Sequence, residues 1–160
     1  MSAVVIRAVE AGDVGDVVAL LRAVLGEFGL TFGEGSDTDA QVLALPGSYR
    51  DHGGHFWVAR DAGGGLLGTC GVFPVAPATF ELRKMYLDAR ARGRGVGARL
   101  LLEAETWCRA QGGHRLVLDT THQMTAAIAF YESHGFVRDD AQIRGSRCHR
   151  GYTKALGGDR

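Results

Sequence analysis

Cysteine is scarce in this chain and never closely spaced. Cys70, Cys108 and Cys148 are the only three among 160 residues. They form no CxxC or other metal-ligand pattern, and an odd, scattered set predicts a reduced, intracellular protein. Histidines 52, 55, 114, 122, 134 and 149 show no HExxH or related ligand spacing, so no zinc or other metal is expected. Net charge is also missing: 18 basic side chains face 18 acidic ones, which removes any general attraction to nucleic acid or to a membrane surface. No uninterrupted apolar run reaches bilayer length, and the first ten residues lack the charged start and apolar core of a secretory leader. A cytoplasmic location follows as the default expectation. There are no internal repeats and no low-complexity tract.

What is present suits one domain spanning residues 1–160 with one substantial core. Residues 4–9 read as a β-branched strand. Asp13 and Asp16 then open a helix whose apolar stripe is Val14, Val17, Val18, Leu21, Val24, Leu25 and Phe28. Residues 29–54 are irregular. Residues 55–62 and 66–75 flank the turn Gly63-Gly64-Gly65 as a hairpin. A strand from about residue 80 follows Pro77, and a helix following the glycine loop carries Val96, Leu100, Ala104, Trp107 and Cys108 on one face, with a Glu105–Arg109 pair on another. A buried-looking strand over 115–119, a helix over 124–134 and strands at 136–137 and 148–156 complete the order. The pattern predicts a mixed α/β sandwich with a mostly antiparallel sheet between helices.

The chain is organised around residues 80–101. Alternation of Phe80, Leu82 and Tyr86 with Glu81 and Arg83 gives a strand. Between that strand and the helix lies Arg92-Gly93-Arg94-Gly95-Val96-Gly97. Its glycines admit positive φ and leave the backbone approachable, and the helix adds the positive end of its dipole. The expected ligand is an anion, a pyrophosphate above all. Six basic side chains between Arg83 and Arg99 oppose only Asp88, so the basic charge gathers around this loop.

These residues carry a resemblance. Arg92-x-x-Gly95-x-Gly97, preceded by Met85-Tyr86-Leu87-Asp88 and followed by Ala98-Arg99-Leu100-Leu101, resembles the acyl-coenzyme A loop of the GNAT N-acetyltransferase superfamily. Leu116-Val117-Leu118-Asp119 and then residues 127–136, ending in Tyr131-Glu132-Ser133-His134-Gly135-Phe136, are similar to that superfamily's next strand and helix. The likeness covers roughly residues 80–137. It departs at Ala89, where proline is usual, and at Met124, where an asparagine often helps hold the pantetheine arm. The resemblance implies acetyl-CoA as donor, an amine of a small molecule or peptide as acceptor, and a sheet that splays at the cofactor cleft. A monomer or homodimer is expected.

Acetyl transfer to an amine needs a fixed donor, a neutral amine, a stabilised oxyanion and a proton for the leaving thiol. The backbone from Arg92 through Gly93, Arg94, Gly95, Val96 and Gly97 to Ala98 is the candidate pyrophosphate cradle, with Arg92 and Arg94 adding charge. By resemblance, Met85, Tyr86 and Leu87 offer backbone to the pantetheine, Glu81 is the general base, directly or through water, and Tyr131 sits near the thioester sulfur. Strand alternation puts Glu81 on one face with Arg83, Met85 and Leu87. The alternatives are a Glu81–Arg83 surface pair and a Tyr131 that only packs. Glu34, Asp37 and Asp39 form either an acidic rim that draws a cationic acceptor or a solvated loop. No nucleophile elbow surrounds Ser133 or Cys70, which argues for direct transfer. Two rival functions remain. One is a catalytically silent acyl-CoA-binding sensor; the other is a dinucleotide-binding protein reading Gly93-x-Gly95-x-x-Ala98 with Asp119. Residues 88–92 intervene between strand and first glycine and count against the latter.

Overall fold

The structure is a computed structural model and describes residues 3–157. Seven strands, β1 (Val5–Ala8), β2 (His55–Arg60), β3 (Leu66–Ala76), β4 (Thr79–Leu87), β5 (Arg115–Thr120), β6 (Val137–Arg138) and β7 (Arg150–Ala155), form one sheet in the order β1-β2-β3-β4-β5-β7-β6. All neighbours are antiparallel except β4 and β5. Parallel strands need a long crossover, and the helix after the glycine loop supplies it. The mixed α/β sandwich expected from the sequence is the architecture observed.

Helices cover both faces. On one side lie α1 (Val14–Glu27) and the short α2 (Asp39–Val42) and α3 (Gly47–Arg50), which bring order to the segment read as irregular. Val17, Leu21, Val24, Val42 and Tyr49 pack there against Phe56 and Val58 of β2. On the other side α4 (Val96–Ala110) and α5 (Thr125–Ser133) pack Leu100, Ala104, Ile128 and Tyr131 against Trp57, Phe80, Leu82, Leu116 and Leu118. Glu105 does not pair along its helix in the way its spacing implied. It is 6 % exposed and accepts from Lys154 Nζ of β7 at 2.6 Å, because the α4 face carrying it lies over the sheet.

The helix starts at Asp13 as expected, but the Asp13 carboxylate does not cap it. Asp13 is 4 % exposed. Its carboxylate accepts from the Glu10 N–H at 2.7 Å, from Arg7 of β1 at 2.7 and 2.9 Å and from Arg60 of β2 at 2.7 Å, closing a box with Glu10 around the 3-10 turn Ala11–Asp13 ahead of α1.

Two irregularities in β4 shape everything that follows. First, its register with β3 slips between Thr69 and Gly71, opposite Lys84 and Met85, and Lys84 has a φ of 54°. This is a bulge, and one extra residue inverts the pleat. Glu81 and Arg83 therefore share a face with Tyr86 toward the α1 side, while Met85 and Leu87 join Phe80 and Leu82 beneath α4. The expected common face of Glu81, Arg83, Met85 and Leu87 is thus split. Second, β4 pairs with β5 only through Thr79–Arg115, Phe80–Leu116 and Glu81–Val117. Beyond Glu81 the two strands separate.

Candidate active site

Two cavities of about 290 Å³ each open along the gap between β4 and β5. Met85, Tyr86, Met124, Ala127 and Tyr131 line both, so the two volumes meet at these side chains. One volume runs toward the glycine loop past Val24, Phe28 and Phe130 and is almost wholly apolar. The other runs toward residues 35–38 and 144–148 and carries the charges.

The glycine loop closes the apolar end. Gly93 and Gly95 have φ of 76° and 78°, and a Cβ built on either would meet nothing within 4 Å. Gly95 precedes α4, and no side chain caps that helix. The loop's outer surface is therefore bare backbone at the positive end of a 15-residue helix, a donor set suited to phosphate. Val96 turns its side chain into the core and Ala98 is exposed, so both can contribute only backbone. At Gly97 a Cβ would come within 3.2 Å of Leu87 and 3.5 Å of Phe130, so glycine there lets the helix start sit against the cavity wall.

The loop arginines differ in their commitments. Arg92 donates from Nη1 and Nη2 to both carboxylate oxygens of Glu27, at 2.7 and 2.8 Å, and from Nη2 to the Leu87 carbonyl at 3.1 Å. Sequence reading missed Glu27, which ends α1 and lies 65 residues away. Arg94 donates to the Arg90 carbonyl at 3.4 Å.

Tyr131 is 6 % exposed and packs edge-on against Phe130 and Phe136. Burial drives its phenol well above the ordinary tyrosine range, and pushes Tyr86 beside it up to about 12. Both stay protonated at neutral pH. Met124, standing where the resembled pattern has asparagine, precedes α5 and is buried between the two volumes, with Thr120 Oγ1 at 3.8 Å from its sulfur. A thioether at this point offers a soft apolar surface and no strong hydrogen bond.

Glu81 is 4 % exposed yet lines the charged cavity. Its Oε1 accepts from Arg83 Nε at 2.6 Å and its Oε2 from Arg144 Nη1 at 3.3 Å. It is paired with Arg83, then, but inside the cleft and not on the surface. The acidic rim is not what the sequence implied. Asp39 is fully buried, accepting from Lys84 Nζ, from Arg147 Nη1 and Nη2 at 3.2 and 3.4 Å, and from the Gly33 N–H at 2.6 Å. The bulge turns the Lys84 ammonium inward, and a lone buried ammonium would cost several kcal/mol without that partner. Of the three acids only Asp37 lines the cavity.

Comparison with known proteins agrees with this geometry. The pattern of the acetyltransferase (GNAT) family matches residues 19–136. The chain is 33% identical over 128 residues to the uncharacterized N-acetyltransferase YjgM of Escherichia coli K12, covering 78% of this chain and 76% of that one. In three dimensions it is similar to an acetyltransferase of the GNAT family from Staphylococcus aureus, with a TM-score of 0.90, 21% identity and coverage of 97% and 100% of the two chains. It is also similar to a phosphinothricin acetyltransferase from Sinorhizobium meliloti in complex with acetyl-CoA, with a TM-score of 0.77, 21% identity and coverage of 96% and 89%. With the glycine loop and the Tyr131 helix both inside the matched residues, the chain belongs to the acetyltransferase (GNAT) family.

Proposed function

We propose that the protein is an N-acetyltransferase, built as one domain, that moves an acetyl group from acetyl-CoA to an amine of a small molecule or peptide by direct attack within a ternary complex. The observation that carries this reading is the meeting of an apolar, glycine-capped cavity with a charged one at Tyr131 and Met85. A donor and an acceptor entering from opposite ends would meet there.

The residues fit the donor. The uncapped start of α4 and the bare backbone at Gly93 and Gly95 suit a pyrophosphate. The stretch of β4 beyond Glu81, unpaired with β5, offers the backbone of Met85 and Leu87 to an extended amide-bearing arm. Acetyl-CoA, when bound, supplies an acetyl thioester activated toward an amine. Glu81 takes the amine proton, directly or through water, and the Tyr131 phenol holds a proton for the departing sulfur. Cys148, the thiol lining the charged cavity, is pushed up to about 12 by burial and next by Asp119, so it is a poor nucleophile, which supports direct transfer over an acyl-enzyme. Among the described residues no helix is long and apolar enough to cross a membrane, and the unpaired cysteines support a cytoplasmic setting.

The test is release of free thiol from acetyl-CoA across a panel of amines, amino acids, polyamines, aminoglycosides and peptide N-termini. Turnover with at least one class is expected. A protein that binds acetyl-CoA calorimetrically yet releases no thiol with any of them is a sensor and not an enzyme.

A further inference from the structure

The charged cavity is lined by four cationic side chains, Arg83, Lys84, Arg144 and Arg147, and three carboxylates, Asp37, Glu81 and Asp119. Their pairing divides them into two clusters. Glu81 sits between Arg83 and Arg144. Asp39, behind the wall, sits between Lys84 and Arg147. Each cluster is one carboxylate held by two cations, so each leaves one positive charge in excess. Asp37 and Asp119, the other carboxylates of the lining, bring the cavity as a whole to charge balance, and Asp119 Oδ2 accepts the backbone N–H groups of Arg144 and Gly145, both at 2.7 Å, and so fixes the loop that presents Arg144.

The three arginines differ in what they have left to offer. Arg83 commits Nε to Glu81 and Nη1 to Gln41, and its guanidinium lies 4.4 Å over the Phe73 ring. Arg147 commits both terminal nitrogens to the Thr31 and Glu34 carbonyls and to Asp39. Arg144 uses only Nη1, toward Glu81 and the Gln142 carbonyl, each at 3.3 Å, and its side chain is 42 % exposed. Its Nε and Nη2 have no partner among the described residues, and that edge of a guanidinium matches a carboxylate in two parallel hydrogen bonds.

Resting on the acetyltransferase reading, we propose that the acceptor is an amine that also bears a carboxylate, a free α-amino acid being the simplest case, and that Arg144 receives the carboxylate. The α-amine of such a molecule lies two bonds from its carboxyl carbon. Seating the carboxylate on Arg144 therefore delivers the amine to the vicinity of Glu81, the group placed to take its proton. The pair reads a zwitterion, whereas a simple polyamine has no carboxylate to place on Arg144 and brings a second positive charge toward that guanidinium.

The experiment measures thiol release at saturating acetyl-CoA for the common amino acids, each beside its methyl ester, with putrescine as the purely cationic control. The ester's amine is less basic and more of it is neutral at pH 7, so intrinsic reactivity favours the ester and a preference for the acid must come from binding. For the best amino acid, kcat/KM is expected to exceed that of its ester by about 10- to 100-fold, the range of a charged hydrogen-bonded contact. Arg144→Gln should bring that ratio to one or below, and Arg144→Lys should restore part of it. The ratio is insensitive to any general loss caused by disturbing Glu81, and circular dichroism checks the fold. Esters or putrescine used as well as acids by the wild type, or a ratio unchanged in a folded R144Q protein, would overturn the proposal while leaving acetyl transfer standing. Failure to release thiol with any amine would remove both readings together.

Discussion

Tyr131 belongs to both cavities, and burial keeps its phenol protonated. A protonated phenol can give a proton and not take one, but its raised pKa makes it a weak acid, so its help to the sulfur is a hydrogen bond more than a full transfer. An ordinary thiol has a pKa near 8.5, so the leaving sulfur is only moderately basic and an acid helps by about 10²-fold or less. Tyr131→Phe is accordingly expected to lower kcat within that range, with little change in the acceptor KM, as measured by continuous thiol release over a series of pH values. A kcat untouched at every pH would assign the ring to its packing against Phe130 and Phe136 alone. Tyr131 and Glu81 were nameable as candidates from the family resemblance. Their surroundings were not, because Arg144 lies 63 residues from Glu81 and 13 from Tyr131, and no local pattern announces which arginine a loop will fold back toward a carboxylate.

At the scale of elements, the glycine loop and α4 were readable because their signals are local: glycines at positions of positive φ, then apolar residues at helical spacing. Gly95 makes a test of that reading. At a φ of 78° a β-branched side chain is strained by more than the roughly 1–2 kcal/mol that an ordinary residue suffers in the left-handed region. The open space around its Cβ position offers no packing gain. Gly95→Val should therefore weaken acetyl-CoA binding at least tenfold by calorimetry while the circular dichroism spectrum is kept, and an unchanged affinity would remove the loop from the donor site. The β4 bulge, by contrast, was hidden. A lysine at a φ of 54° has no sequence signature, and the slip exists only relative to β3. Missing it put Met85 and Leu87 on the wrong face, and left Asp39 looking like a free acid instead of the counter-charge to a lysine 45 residues away.

Across the whole molecule, Asp13 ties three elements together: Arg7 on β1, Arg60 on β2 and the turn that starts α1. The hydrogen bond from Arg7 holds its carboxyl well below the usual carboxylate range against the opposing effect of burial, helped by Arg60 and the Glu10 N–H. A lowered native pKa stabilises the fold at every pH above the unfolded value near 3.9, and this contribution is lost as pH falls below it toward the native pKa. Asp13→Asn should cost about 1–3 kcal/mol at pH 7, since it removes the charge that two guanidiniums share, while Arg60 keeps Asp16 and the Gly64 carbonyl and Arg7 keeps the Ala8 carbonyl. In urea melts the gap between variant and wild type should narrow below about pH 4. A gap that stays constant with pH would mean that the carboxylate's charge is not what stabilises the joint. The parting of β4 from β5 has a different kind of consequence. A sheet whose first four strands join the last three through only three residue pairs has a seam, and seams set the boundaries of cooperative opening. Amide hydrogen exchange should show β5–β7 opening at lower free energy than β2–β4. An arm that pairs with the free edge of β4 would act as the missing rungs, so acetyl-CoA at a hundredfold excess over its Kd should slow exchange on both sides of the seam by up to about 2.7 kcal/mol, making the donor a component of the fold's cooperativity as well as of its chemistry.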